Sequence, residues 1–283
     1  MTSKLKQVAV AALVAMSGAA FALPSVTTAF VPGVPNDLSD DFVEFHVDMD
    51  GDGLISTGDV LLTSLAMTSY APSGTAANTV NELSAFSAVR ITSASSIANG
   101  ACKIGFVETV AGDGCGLFEF GATTEGLAFW YAAVGGSSAL LPTTADSVAV
   151  FFEDTNHDFN QAAFLTGLDG TARMMVDLVA ANGDTWSAIG PLKVSDFGLN
   201  TPGAGVGSFS IDATISAQAF AGWNLGAQIT GVGSLKPSAI VPGVPAGDVT
   251  FTIFPNRVPE PAGLGLAALA LLGMGVASRR RKA

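Results

Sequence analysis

Charge is scarce in this chain and histidine scarcer still. Asp, Glu, Lys and Arg make up 13% of its 283 residues, and there are two histidines, His46 and His157. So low a charge content disfavours long solvent-laced helices and suits thin strands joined by tight turns. With two histidines, catalytic machinery is hard to assemble, and no G-x-S-x-G, H-E-x-x-H or phosphate-cradling glycine loop is present. Cysteine is equally sparse, with Cys102 and Cys115 alone. In a cytosolic protein they would stay unpaired thiols. In an exported one a disulfide is expected, closing a short loop that the chain-entropy model values at about 3 kcal/mol. A cysteine nucleophile is then not expected, and the chain reads as a non-enzyme.

Basic residues are the rarest charges, and half of them sit at the ends: Lys4, Lys6, Arg279, Arg280, Arg281 and Lys282. Between those ends the other six Lys and Arg face all 24 acidic residues, an excess of eighteen negative charges. Such a surface repels phosphate backbones, so no nucleic-acid partner is expected. It attracts divalent cations instead.

What is present begins with strand signals. Phe209, Ile211, Ala213, Ile215 and Ala217 alternate with Ser210, Asp212, Thr214, Ser216 and Gln218. A period of two marks a half-buried strand. Val249, Phe251 and Ile253 alternate with Thr250 and Thr252, and Val43, Phe45 and Val47 with Glu44, His46 and Asp48. The evenly apolar runs Leu127–Val134 and Val148–Phe152 predict central strands, and Asp59–Met67 is the best helix candidate. Thirty-three glycines, with Asn, Pro and Ser clusters, break the chain at short intervals. The expectation is an all-β fold, a β-sandwich or jelly-roll-like domain with minor helix. The pentapeptide Val-Pro-Gly-Val-Pro occurs at 31–35 and at 241–245, each time soon followed by an alternating strand. Either first and last strands lie side by side behind matching turns, or the repeat is chance in a Val-, Gly- and Pro-rich chain.

The N-terminus joins a basic start, an apolar run from Val8 to Ala15 and Ala20-Phe21-Ala22. That order is a secretory signal peptide over residues 1–22, cleaved after Ala22, which leaves 23–257 as the exported β-rich domain. At the other end, residues 258–283 carry Pro259-Glu260-Pro261, an uncharged apolar span over 262–277, and Arg279-Arg280-Arg281. Sixteen residues rise roughly 24 Å as a helix, short of a hydrocarbon core of about 30 Å. A transient transmembrane stop with its basic cluster in the cytoplasm is expected. This tail resembles the PEP-CTERM sorting signal. The resemblance covers about 25 residues and implies export from a Gram-negative cell that makes extracellular polysaccharide. It also implies processing near Pro259, Glu260 and Pro261 by a membrane-embedded exosortase-type protease, after a tethered stay at the inner membrane. Some proteins with this signal are associated with flocs or biofilm, and the small-residue β character here is similar to the flocculation-associated type.

The stretch from Asp48 to Asp59 carries the most chemistry. A twelve-residue calcium loop takes oxygens from positions 1, 3, 5, 7, 9 and 12, with glycine at 6. Asp48, Asp50, Asp52, the Leu54 carbonyl, Ser56 and Asp59 fill those places, and Gly53 stands at the turn. Four carboxylates drawn to about 6 Å repel by roughly 4 kcal/mol even in bulk water. The loop is similar to those of EF-hand and dockerin modules, and structural calcium is the cofactor expected. Asp154, Asn156, Asp158 and Asn160 form a weaker second cation candidate.

The functional expectation is a structural or adhesive protein of the cell surface or extracellular matrix, supporting biofilm or flocs with exopolysaccharide as partner. A carbohydrate-binding module using Trp130, Trp186 and Trp223 is one alternative. A secreted glycan-active hydrolase with paired carboxylates is another.

Overall fold

The fold was obtained as a computed structural model, and the described residues are 35–72, 82–98, 101–102, 114–136, 139–154, 156, 158–160, 164–200, 205–218, 226–238 and 244–254. Ten antiparallel strands run through them. They are β1 (Asn36–Val47), β2 (Val60–Pro72), β3 (Glu82–Ser96), β4 (Cys115–Ala122), β5 (Ser147–Asp154), β6 (Thr171–Asp177), β7 (Thr185–Pro191), β8 (Gly207–Gln218), β9 (Gln228–Pro237) and β10 (Pro245–Phe254). Two short helices, α1 (Leu127–Ala133) and α2 (Val194–Leu199), interrupt the series.

The pairing closes on itself, which corrects the β-sandwich expectation. β2, β1, β10, β9 and β8 pair in that order, and β2 also pairs with β3. From there the wall forks. β3 pairs with β5 through Glu82–Ser87 and with β4 through Val89–Ser96. β8 pairs with β7 through Ser208–Asp212 and with β6 through Thr214–Gln218. Each route, β4–β7 or β5–β6, completes a closed circuit of eight strands. Alternation suits a barrel as well as a sandwich; the β2–β3 and β7–β8 pairings leave no free edge and decide between them. First and last strands do lie side by side, with Val43 opposite Ala246 and Asn36 opposite Ile253. Being antiparallel, they start at opposite ends of the barrel. Residues 241–243 and 31–34 lie outside the described residues.

Two apolar cores follow from closure. The lumen holds Leu38, Met67, Leu83, Phe151, Met174, Ile215 and Ile253, all buried. Outside the wall, Val60, Leu62, Phe86, Val150 and Phe152 form a second core with Leu127, Trp130, Tyr131 and Val134. β2, β3 and β5 are therefore apolar on both faces, and this is why Val148–Phe152 reads as an unbroken run. The Leu127–Val134 segment is helix, not strand. Leu127, Trp130, Tyr131 and Val134 recur at helical spacing and cover the outer core, with Tyr131 Oη donating to the Leu168 carbonyl at 2.7 Å. Conversely, the expected helix at Asp59–Met67 is strand β2, held by ladders to both β1 and β3 that override its helix-forming Leu, Ala and Met. Among the described residues no helix is long and apolar enough to cross a membrane. The expected span 262–277, with Pro259, Glu260, Pro261, Arg279, Arg280 and Arg281, lies outside them, as does the 1–22 leader.

Candidate functional site

One half of the lumen is not filled. A partly open cavity of about 50 Å³ lies there, and every strand of the β4–β7 circuit contributes to its lining. Phe42, Phe118, Phe120, Trp186, Phe209 and Phe251 supply aromatic walls from β1, β4, β7, β8 and β10. Three of these rings, Phe42, Phe209 and Phe251, stand over glycines of the next strand, Gly247, Gly233 and Gly231. A Cβ on Gly247 would meet the Phe42 ring at 2.3 Å, and one on Gly233 the Phe209 ring at 2.5 Å. Phe120 and Trp186, 5.8 Å apart and edge-on, stand at the fork end of their ribbon and are half-buried.

Two polar groups interrupt this lining. Glu44 on β1 lies directly opposite Thr63 on β2, and both face the cavity. The Thr63 hydroxyl is buried with no hydrogen-bond partner among the described residues. Desolvation pushes the Glu44 carboxyl up to about 7, with no neighbouring charge or hydrogen bond to oppose it. By alternation, Glu44 and His46 share the polar side of the strand, opposite Val43, Phe45 and Val47. In the barrel, Phe42 and Glu44 line the lumen, while Phe45 and Val47 pack into the outer core.

The Asp48–Asp59 loop closes one end of this half. Ile55 enters the lumen, and its N–H donates to the Leu192 carbonyl at 2.7 Å, tying the loop to the segment before α2, whose Phe197 also lines the cavity. Asp48, Asp50 and Asp52 come together as spaced, with oxygens within 4.8 Å of one another. Gly53 takes φ 78°, and its N–H and that of Gly51 donate to Asp48. Desolvation raises the Asp48 carboxyl, but those N–H groups and His46 bring it, on balance, below its usual value. Asp59 does not join this group. It is 1% exposed and accepts hydrogen bonds from His46 Nε2, the Ser56 hydroxyl and the N–H groups of Met49 and Ser56. With Asp59 and Ser56 bonded to each other, the six-oxygen set is not assembled, and the calcium expectation is corrected on that ground.

The second expected set is split as well. Asp154 and Asp158 meet Asp169, not Asn156 and Asn160. Asn156 is exposed with its N–H on Asp154, and the Asn160 N–H donates to Thr166. Glu82, buried opposite Asp154, accepts the Phe159 N–H. Desolvation and the three nearby Asp carboxylates carry it up to about 7 against that one bond. Cys102 and Cys115 are joined by a disulfide, with a Cα separation of 5.9 Å.

No family model matches the chain. No curated protein matches it either. Two solved structures are similar at 10% identity. One is a nonspecific heme-binding cyclase that catalyses a cycloaddition during neoabyssomicin biosynthesis, covering 96% of this chain and 89% of that one, at TM-score 0.24. The other is the Diels–Alderase AbmU from Streptomyces koyangensis, covering 96% and 91%, at TM-score 0.23. Scores this low transfer neither activity nor heme to this chain. The barrel itself, however, surrounds a lumen cavity lined by aromatic side chains. On that finding the expectation of an adhesive, non-enzymatic matrix protein is withdrawn. The carbohydrate-binding alternative loses its platform too. Trp130 is 1% exposed in the outer core, Trp186 lines the cavity, and Trp223 lies outside the described residues.

Proposed function

We propose that the barrel is a receptor for a small, largely apolar molecule taken into the aromatic half of its lumen. The cavity carries this reading. An eight-stranded barrel is either filled by its own side chains or left with room for one small ligand. Here the aromatic half keeps a cavity. A void among rigid rings forfeits dispersion contacts and costs stability, so its retention favours a ligand that restores them. The test is an apolar dye. Nile red is expected to brighten on binding the wild type, and Ala188→Phe, which projects a ring into the hollow, should abolish the signal with the circular dichroism unchanged. Undiminished dye binding by that variant would sink the reading. A second reading, proton transfer catalysed on the bound molecule, is favoured by the Glu44 carboxyl titrating near 7.

We also propose that the chain is exported and trimmed at its tail by an exosortase-type protease after a transient stay at the inner membrane. The order of elements at both termini supports this, as does the Cys102–Cys115 bond, which belongs in an oxidising compartment. Intact-mass analysis of the native protein should place its start at Leu23 and its end upstream of the Arg cluster. A cytosolic product with both ends intact would overturn the proposal.

A further inference from the structure

Several buried or half-buried acids of this barrel are held by donors. Asp177 accepts the hydroxyls of Thr144, Ser147 and Ser216. Asp59 holds four donors, and Asp212 takes both contacts of the Gln228 amide. Glu44 differs. Nothing among the described residues donates to it, and the cross-strand hydroxyl that could, on Thr63, is 4% exposed and itself unpartnered. Both groups line one cavity whose remaining walls are apolar and largely aromatic. A half-buried carboxyl and a buried hydroxyl left without partners in a largely apolar pocket are costly for the protein alone. They become complementary to a ligand that brings its own donors.

We infer that the lumen selects flat aromatic molecules bearing a basic nitrogen, whose N–H groups meet Glu44 and Thr63 while the ring lies among Phe118, Phe120, Trp186 and Phe209. This rests on the lumen-receptor reading and names the ligand class for it. The aromatic walls favour a planar body, and their faces add cation–π attraction for the charged end. An ammonium donates a charge-assisted bond to the Glu44 carboxylate, and a further N–H reaches the Thr63 oxygen, which is free to accept. A carboxylate-bearing ligand would instead set two like charges in the same apolar space and is excluded.

Displacement of Nile red by three matched compounds tests this: 1-naphthylmethylamine, its uncharged isostere 1-ethylnaphthalene, and 1-naphthoate. The amine is expected to displace the dye at a concentration at least about tenfold lower than the isostere, consistent with a hydrogen bond to a charged group. Naphthoate should be the weakest. Glu44→Gln should erase the preference for the amine while leaving 1-ethylnaphthalene unchanged, and Thr63→Val should reduce it. Equal displacement by amine and isostere, or a preference that survives Glu44→Gln, overturns the ligand class. Dye that fails to bind the wild type, or still binds Ala188→Phe, overturns the receptor reading instead.

Discussion

The two halves of the lumen are built by the same wall and end in opposite states. Where β5 and β6 complete the circuit, branched and flexible side chains such as Leu83, Met174, Val176 and Ile215 interdigitate around Phe151. Where β4 and β7 complete it, the side chains are larger, yet a hollow is left. Bulk is therefore not what fills a barrel. Phe42 and Phe209 meet edge-on at 5.4 Å and 80°, and Phe120 and Trp186 at 5.8 Å and 63°. Rigid rings braced against each other cannot collapse inward as aliphatic chains do, and the angular gaps between them add up to a cavity.

That contrast can be broken from either side. The largest effect is expected in the filled half. Phe151→Ala removes a ring that is 3% exposed and should cost about 3–5 kcal/mol in urea unfolding. In the hollow half, Trp186→Ala removes a bigger but half-buried ring already bordering empty space, and should cost only about 2 kcal/mol while weakening dye binding. Equal losses would mean the aromatic half is ordinary packed core. The smallest effect is expected from Glu44→Gln, and it depends on pH. The folded carboxyl titrates at about 7, above its ordinary 4.5. The native state then holds a proton that the unfolded chain releases first, and stability falls as pH rises from about 4.5 to 7. Glu82, also near 7, adds to the same slope. Thermal melts between pH 4.5 and 8 should show the Gln variant regaining roughly 1 kcal/mol at the upper end, a figure reduced for the solvent reaching the cavity. An unchanged slope would place Glu44 in water rather than in the hollow.

Parts of this molecule were legible without coordinates. The alternation at Phe209–Ala217 and at Val249–Ile253 is that of β8 and β10, and Gly53 adopts the left-handed turn its place in the acidic loop required. The Asp48, Asp50 and Asp52 group was readable for the same reason, since a tight loop brings alternate residues together whatever surrounds it. Asp59 was not. Its side chain is claimed by His46 on a strand thirteen residues back, and by Ser56. Leu127–Val134 carried a helical period beneath an apolar run long enough to pass for a strand.

The sequence by itself determined which residues share a face of each strand, because side chains alternate with period two in any sheet. It also determined the acidity of the chain's middle and the chemistry of its two ends. Only the tertiary structure decided which face looks inward. With apolar cores on both sides of the wall, as at Phe42 and Phe45, the pattern fits either orientation, and closure through β2–β3 and β7–β8 selects one. That choice turns Glu44 from a solvated surface acid into an unpaired carboxyl inside an aromatic cavity.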